Sequence, residues 1–203
     1  MLSGFYFISD RMLCQVSDAD AVRQALEGGA KVVQYREKDL MFEDMVRTAK
    51  NIRLLCSGRA LFFVNDDVEV ALACDADGVH IGQHDMSLKT ARYLLGKDKL
   101  IGVTVHSVEE AKAADAGGAD YVAVSPVFET RTKADAGAPV GLQMIKDVKA
   151  AVSMPVAAIG GIDESNVDSV IKAGADMACA ISATVPKKDI RSAVKYFSSK
   201  WIR

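Results

Sequence analysis

The chain has 203 residues, 50% of them hydrophobic, with 25 Lys plus Arg against 27 Asp plus Glu and a formal net charge of −2. That composition belongs to a soluble globular protein and excludes a disordered tail or a collagen-like chain; the near-neutral balance also argues against a general nucleic-acid-binding surface while leaving room for a local basic pocket. No run approaches the ~20 apolar residues of a bilayer span, Met1–Arg11 carries neither a basic leader nor a small-residue cleavage site, and Cys14, Cys56, Cys74 and Cys179 lie scattered among aliphatic residues as reduced core thiols, so a cytoplasmic protein is expected.

Short aliphatic and β-branched runs predict eight strands separated by helical segments. Phe5–Ser9 is the first, followed by a helix over Asp18–Gly28 that starts at Ser17 or Asp18 and ends at Gly29-Ala30. Val32–Arg36 leads into a helix over Phe42–Ser57. Leu61–Val64 and Gly78–Ile81 are the third and fourth strands. Ile101–Val105 is the fifth, and its helix, Val108–Ala116, begins at Ser107 with Glu110 three residues on. Tyr121–Ser125 precedes the longest loop, which runs to Val140. Val156–Gly160 is the seventh strand, with Asp163 or Ser165 starting the next helix, and Ala178–Ser182 is the eighth. Gly118-Ala119-Asp120 and Gly174-Ala175-Asp176 end helices with a glycine suited to a left-handed cap.

Apolar strands alternating with helices imply a parallel sheet covered on both faces. Eight such units predict an α/β fold, a (β/α)8 TIM barrel forming a single domain over residues 1–203. An open doubly wound sheet is the alternative, but no GxGxxG follows the first strand.

In a barrel the chemistry sits at the C-terminal ends of the strands. Gln34, Arg36 and Lys38 are two apart, so they share a face and point to the mouth, whereas Val33 and Tyr35 point to the helices. Two cations there require an anion, either a ligand or a protein carboxylate such as Glu37 or Asp39. Asp66 and Asp85 follow the third and fourth strands, where they suit Mg2+ with phosphate oxygens or, alternatively, the N-caps of the following helices. In the long loop, Thr130, Thr132 and Lys133 suit a lid over a phosphate; a solvated surface loop is the plainer reading. Gly160, Gly161 and Ser182, after the seventh and eighth strands, suit an anion site built largely of backbone amides. The three histidines have no zinc-ligand spacing: His80 reads as a hydrogen-bonded strand residue and His106 as a candidate acid/base.

Val33-Gln34-Tyr35-Arg36-Glu37-Lys38, Val64-Asn65-Asp66-Asp67, Asp77–Asp85, Thr130-Arg131-Thr132-Lys133 and Ala158-Ile159-Gly160-Gly161-Ile162, taken in order, resemble the thiamine-phosphate synthase family. The resemblance implies a Mg2+-dependent transferase that couples hydroxymethylpyrimidine diphosphate with a thiazole phosphate, through a pyrimidine carbocation, giving thiamine phosphate and diphosphate. It assigns Gln34 to the pyrimidine; Arg36, Lys38 and Lys133 to the diphosphate; Asp66 and Asp85 to Mg2+, with Asn65 nearby; Thr130 and Thr132 to the closing loop; and Gly161, Ile181 and Ser182 to the thiazole phosphate. Thr104 stands where the family usually has serine, keeping a hydroxyl for phosphate contact, and Ser125 replaces a usual glycine. The implied partners are small molecules, not nucleic acid or membrane, and a homo-oligomer is compatible with the sequence. The related thiazole tautomerases share Val105-His106-Ser107 and Phe128-Glu129-Thr130, so a tautomerase, or a non-catalytic barrel binding a thiamine precursor, is the alternative.

Overall fold

The computed structural model describes residues 2–130, 132 and 137–201. Its strands are β1 (Gly4–Asp10), β2 (Val32–Arg36), β3 (Leu61–Asn65), β4 (Gly78–Ile81), β5 (Leu100–Val105), β6 (Tyr121–Val124), β7 (Val156–Ile159) and β8 (Met177–Cys179). All neighbours are parallel, and β1 pairs with both β2 and β8, so the sheet closes into the expected barrel. Around it run α1 (Asp18–Glu27), α2 (Phe42–Cys56), α3 (Val68–Ala73), α4 (Leu88–Leu95), α5 (Val108–Ala116), α6 (Gly141–Ala151), α7 (Val167–Lys172), α8 (Ile181–Thr184) and α9 (Ile190–Ser199). Among the described residues, no helix is long and apolar enough to cross a membrane.

Two apolar layers follow from the two-residue period of the strands. Phe5, Phe7, Val33, Tyr35, Phe62 and Val64 face outward and pack beneath the helices. Tyr6, Ile8, Val32, Phe63, Tyr121 and Met177 face inward and fill the barrel. The inner rings set the choice of small residues opposite them. A Cβ at Gly102 would lie 2.0 Å from the Tyr121 ring, and one at Gly78 would lie 2.1 Å from the Leu100 carbonyl oxygen. Glycine on β5 is therefore a packing requirement of the aromatic interior, and glycine on β4 a requirement of the close approach of the Leu100 backbone.

The end opposite the mouth is tied by a repeated device. Asp77, Asp120 and Asp176 each accept the N–H of a residue at the start of the preceding strand, Phe62, Ile101 and Val156, at 2.7 Å. The same carboxylates pair with Arg53, Arg92 and Lys149 from the surrounding helices. Gly118 and Gly174, two residues ahead of Asp120 and Asp176, hold φ of 82° and 103°, as a left-handed cap demands.

Several boundaries differ from the sequence expectation. The eighth strand stops at Cys179, and Ile181 and Ser182 belong to α8: the Thr184 hydroxyl donates to the Ala180 carbonyl and the Val185 N–H to the Ile181 carbonyl, each at 2.8 Å. The seventh helix starts at Val167, because the Asp163 carboxylate takes the N–H and hydroxyl of Ser165 in a turn ahead of it. Ser17 and Ser107 cap their helices through the N–H groups of Asp20 and Glu110.

Candidate active site

The second strand carries Gln34 and Arg36 inward to the mouth, as its parity predicts, and Lys38 follows in the loop. Their partners are not the expected Glu37 and Asp39. The Arg36 guanidinium pairs with Asp10, the last residue of β1, and the Lys38 ammonium pairs with Asp66. Glu37 turns away from the mouth: its carboxylate accepts from the Arg11 side chain and from the N–H groups of Lys38 and Asp39, all at 2.8 Å. Burial alone would raise its carboxyl, but those amides and Arg11 outweigh burial and hold it below the ordinary range. Glu37 thus pins the loop from which Lys38 reaches inward.

Asp66 does not cap α3. Asp67 does so, accepting the Val70 N–H at 2.8 Å, and Ser87 rather than Asp85 caps α4. Both carboxylates line the mouth instead. Asp66 holds φ of 62°, a left-handed conformation that aspartate tolerates better than most residues, and its N–H donates to the His80 carbonyl at 2.7 Å. Asp85 folds back so that its carboxylate accepts the Gly82 N–H at 2.7 Å. Burial raises the Asp66 carboxyl above its ordinary value; the Lys38 ammonium opposes the rise and the adjacent Asp85 carboxylate adds to it. Two neighbouring carboxylates, one of them paired with the Lys38 ammonium, are oxygen donors of the kind a hard divalent cation takes together with phosphate oxygens. Among the described residues, no group of three or more His, Cys, Asp or Glu side chains converges as a metal cluster.

Across the mouth, Gly160 and Gly161 hold φ of 103° and 62°. A Cβ on Gly160 would lie 2.6 Å from Pro126 Cβ, and one on Gly161 would lie 2.4 Å from the Glu129 carbonyl oxygen. Both glycines are needed to let the chain after β6 pack onto the end of β7. That packing carries Thr130 to the cavity wall beside Ser182.

One cavity of about 1070 Å3, counting the part open to solvent, joins these groups. Gln34, Arg36, Lys38, Asn65, Asp66 and Asp85 line it from β2 to β4. Thr104, Thr130, Thr132, Gly161, Ile181 and Ser182 line it from β5 to α8. Lys133, the remaining expected site residue, lies outside the described residues. His106 is exposed on the rim, with Nδ1 at 2.6 Å from the Ser125 carbonyl, which can only accept, so that nitrogen carries the hydrogen. Cys179 lies on the floor, where burial pushes its thiol well above the ordinary value and keeps it protonated.

Sequence reasoning missed Asp10, Tyr6 and Tyr121. Each was detectable by parity, because Asp10 and Tyr6 lie an even number of residues from Ile8, and Tyr121 from Ala123, all on the inner face.

A sequence model described as thiamine monophosphate synthase matches residues 5–184. The chain is 52% identical over 193 residues to a thiamine-phosphate synthase of Methanosarcina barkeri, covering 95% of this chain and 88% of that one. It is 43% identical over 201 residues to a thiamine-phosphate synthase of Methanospirillum hungatei, covering 98% of each. A solved thiamine phosphate pyrophosphorylase of Pyrococcus furiosus superposes with a TM-score of 0.90 at 39% identity, covering 97% of this chain and 94% of that chain.

Proposed function

The chain belongs to the thiamine monophosphate synthase family of transferases, and from that premise we propose that its barrel mouth couples hydroxymethylpyrimidine diphosphate to a thiazole phosphate, forming thiamine phosphate and releasing diphosphate. The observation that carries this reading is the pairing of Asp66 and Asp85 beside Lys38 and Arg36, opposite the glycine turn after β7.

Gln34 holds the pyrimidine ring, and Arg36, Lys38 and Lys133 hold its diphosphate. The bond between the pyrimidine methylene and the diphosphate oxygen breaks with both electrons going to oxygen, leaving a carbocation on the ring system. The thiazole nitrogen then gives its lone pair to that methylene, and the new C–N bond leaves the thiazolium positive. Charge grows on the leaving oxygens, where the fixed cations stabilise it in a site that needs no reorganisation. Asp66 and Asp85 are the residues that would hold Mg2+, which when bound supplies further charge neutralisation at the diphosphate. Gly161, Ile181 and Ser182 receive the thiazole phosphate, and Thr130 and Thr132 approach from the loop after β6. No protein nucleophile enters this sequence, in keeping with a Cys179 held as a thiol.

The thiazole tautomerase reading rests on His106, which lines the same mouth. The cations and paired carboxylates favour the synthase, because proton transfer on a thiazole has no use for a diphosphate site. An assay with both substrates and Mg2+, following diphosphate release, separates the two. Release that requires both substrates supports the synthase; thiazole isomerisation without release overturns it. Asp85→Ala is expected to weaken the Mg2+ dependence while the barrel still folds, and Lys133→Ala to slow release.

A further inference from the structure

Gln34 on β2 and Thr104 on β5 line the same cavity, and a single file of hydrogen bonds joins them through the barrel interior. Gln34 Nε2 donates to the Tyr6 hydroxyl at 2.6 Å. The Tyr6 and Tyr121 hydroxyls are 2.8 Å apart, Tyr121 and His80 Nδ1 are 2.8 Å apart, and His80 Nε2 and Thr104 Oγ1 are 2.8 Å apart. The five side chains come from five different strands. The file depends on Gly102, since any side chain there would displace the Tyr121 ring.

The file has a direction. Burial of Tyr6 and Tyr121 keeps both phenols protonated, so each has one hydrogen to give. The Tyr6 oxygen accepts from the Gln34 amide, so a continuous file requires its own hydrogen to go to Tyr121. Tyr121 in turn donates to His80 Nδ1. His80 is then the neutral Nε2–H imidazole and donates to Thr104, whose own hydrogen is left for the cavity. At the other end, Gln34 Oε1 is left as an acceptor. The opposite amide orientation would reverse every bond in the file.

We propose that this file sets the hydrogen-bonding polarity of the mouth, so that Gln34 presents an acceptor and Thr104 a donor to the bound substrates, with Tyr6, His80 and Tyr121 as positioning residues. Deepening the synthase reading and resting on it, this assigns Gln34 to a donor group on the heterocycle and Thr104 to an anionic oxygen. A phosphate oxygen has no hydrogen to give, and a Thr104 turned the other way would set lone pairs against it. The file also ties the two specificities together, because neither end can reverse without the other.

Nitrogen-15 NMR of the histidine-labelled full chain tests the polarity without any substitution. The expected result is His80 as the Nε2–H tautomer, with Nδ1 unprotonated; an Nδ1–H tautomer or an imidazolium overturns the proposal. Kinetics test the coupling. Tyr121→Phe removes the central hydroxyl and is expected to lower kcat about tenfold, the equivalent of one hydrogen bond. Thr104→Val should then cost much less in that background than in the parent, whereas Thr104→Ser retains the rate in both; independent, multiplying losses overturn the coupling. The NMR readout does not need turnover. An expected tautomer without diphosphate release would sink the synthase reading alone, and release with the Nδ1–H form would sink the polarity alone.

Discussion

Arg36 and Asp10 occupy the same rung of the ladder between β1 and β2, and the Arg36 guanidinium donates to the Asp10 carboxylate. The Asp10 side chain is 5% exposed and that of Arg36 23%, so the carboxylate depends on the guanidinium far more than the reverse. Arg36→Ala is expected to cost about 3 kcal/mol, because it strands a buried carboxylate. Replacing both, Arg36→Met with Asp10→Leu, should restore most of that stability in urea unfolding while diphosphate release stays lost. A double variant no more stable than Arg36→Ala would show that the pair is not the source of the cost.

Gly161→Ala sets a methyl 2.4 Å from the Glu129 carbonyl oxygen at a φ of 62°. The barrel should still fold, with a loss of about 1–3 kcal/mol from overpacking, but the turn after β6 must move away. The KM for the thiazole phosphate is expected to rise by at least an order of magnitude, about 1.4 kcal/mol of binding. An unchanged KM would place that phosphate elsewhere in the mouth.

At the far end of the barrel the outcome should be reversed. Asp120 accepts from the Ile101 N–H and from Arg92, so Asp120→Ala leaves a strand amide and a guanidinium without their carboxylate. A loss of about 1–3 kcal/mol is expected, with kcat unchanged at temperatures where the variant is folded. A fall in kcat without a fall in stability would contradict the assignment of this end to structure.

Asp18 supplies a pH dependence. It is 5% exposed, its Oδ1 has no hydrogen-bond partner among the described residues, and burial raises its carboxyl above the ordinary value, with Glu37 and Asp10 adding to the rise and Ser9 and Arg11 opposing it. A carboxyl whose folded-state pKa is raised costs stability when ionised, so the cost is full above the folded pKa and absent below the unfolded one. Asp18→Asn should therefore stabilise the protein at pH 7, by about 1 kcal/mol, and the gain should fade as the pH drops into the carboxylate range. Urea unfolding at several pH values measures it; a gain that grows with acidity would reverse the sign.

Strand parity is legible in the sequence because it needs only the period of two: Val33 and Tyr35 go to the helices, and Gln34 and Arg36 go inside. Which side chains meet is not legible, since Arg36 finds Asp10 only through the register between β1 and β2. The caps of α3 and α4 shift by one and two residues from Asp66 and Asp85 because Asp67 and Ser87 offer equally good acceptors nearby. Small apolar residues around Ala178–Ser182 suit strand and helix alike, which hides the end of β8. The interior file of hydroxyls is hidden for another reason: its middle bonds join strands that are not neighbours, Tyr6 on β1 to Tyr121 on β6 and Tyr121 to His80 on β4, and so form only across the closed barrel.

The carboxylate ties at Asp77, Asp120 and Asp176 have a counterpart position in the first unit, and there the residue is Lys31. The backbone bond at that position, Lys31 N–H to the Phe5 carbonyl, spans 3.4 Å, against 2.9, 2.8 and 2.8 Å at the three aspartates. The barrel is thus laced in strand pairs, with the loosest stitch between β1 and β2. Thermal breathing should begin between those two strands, so the Phe5 amide is expected to exchange with deuterated solvent well before those of Phe62, Ile101 and Val156, and the cylinder should open like a cuff.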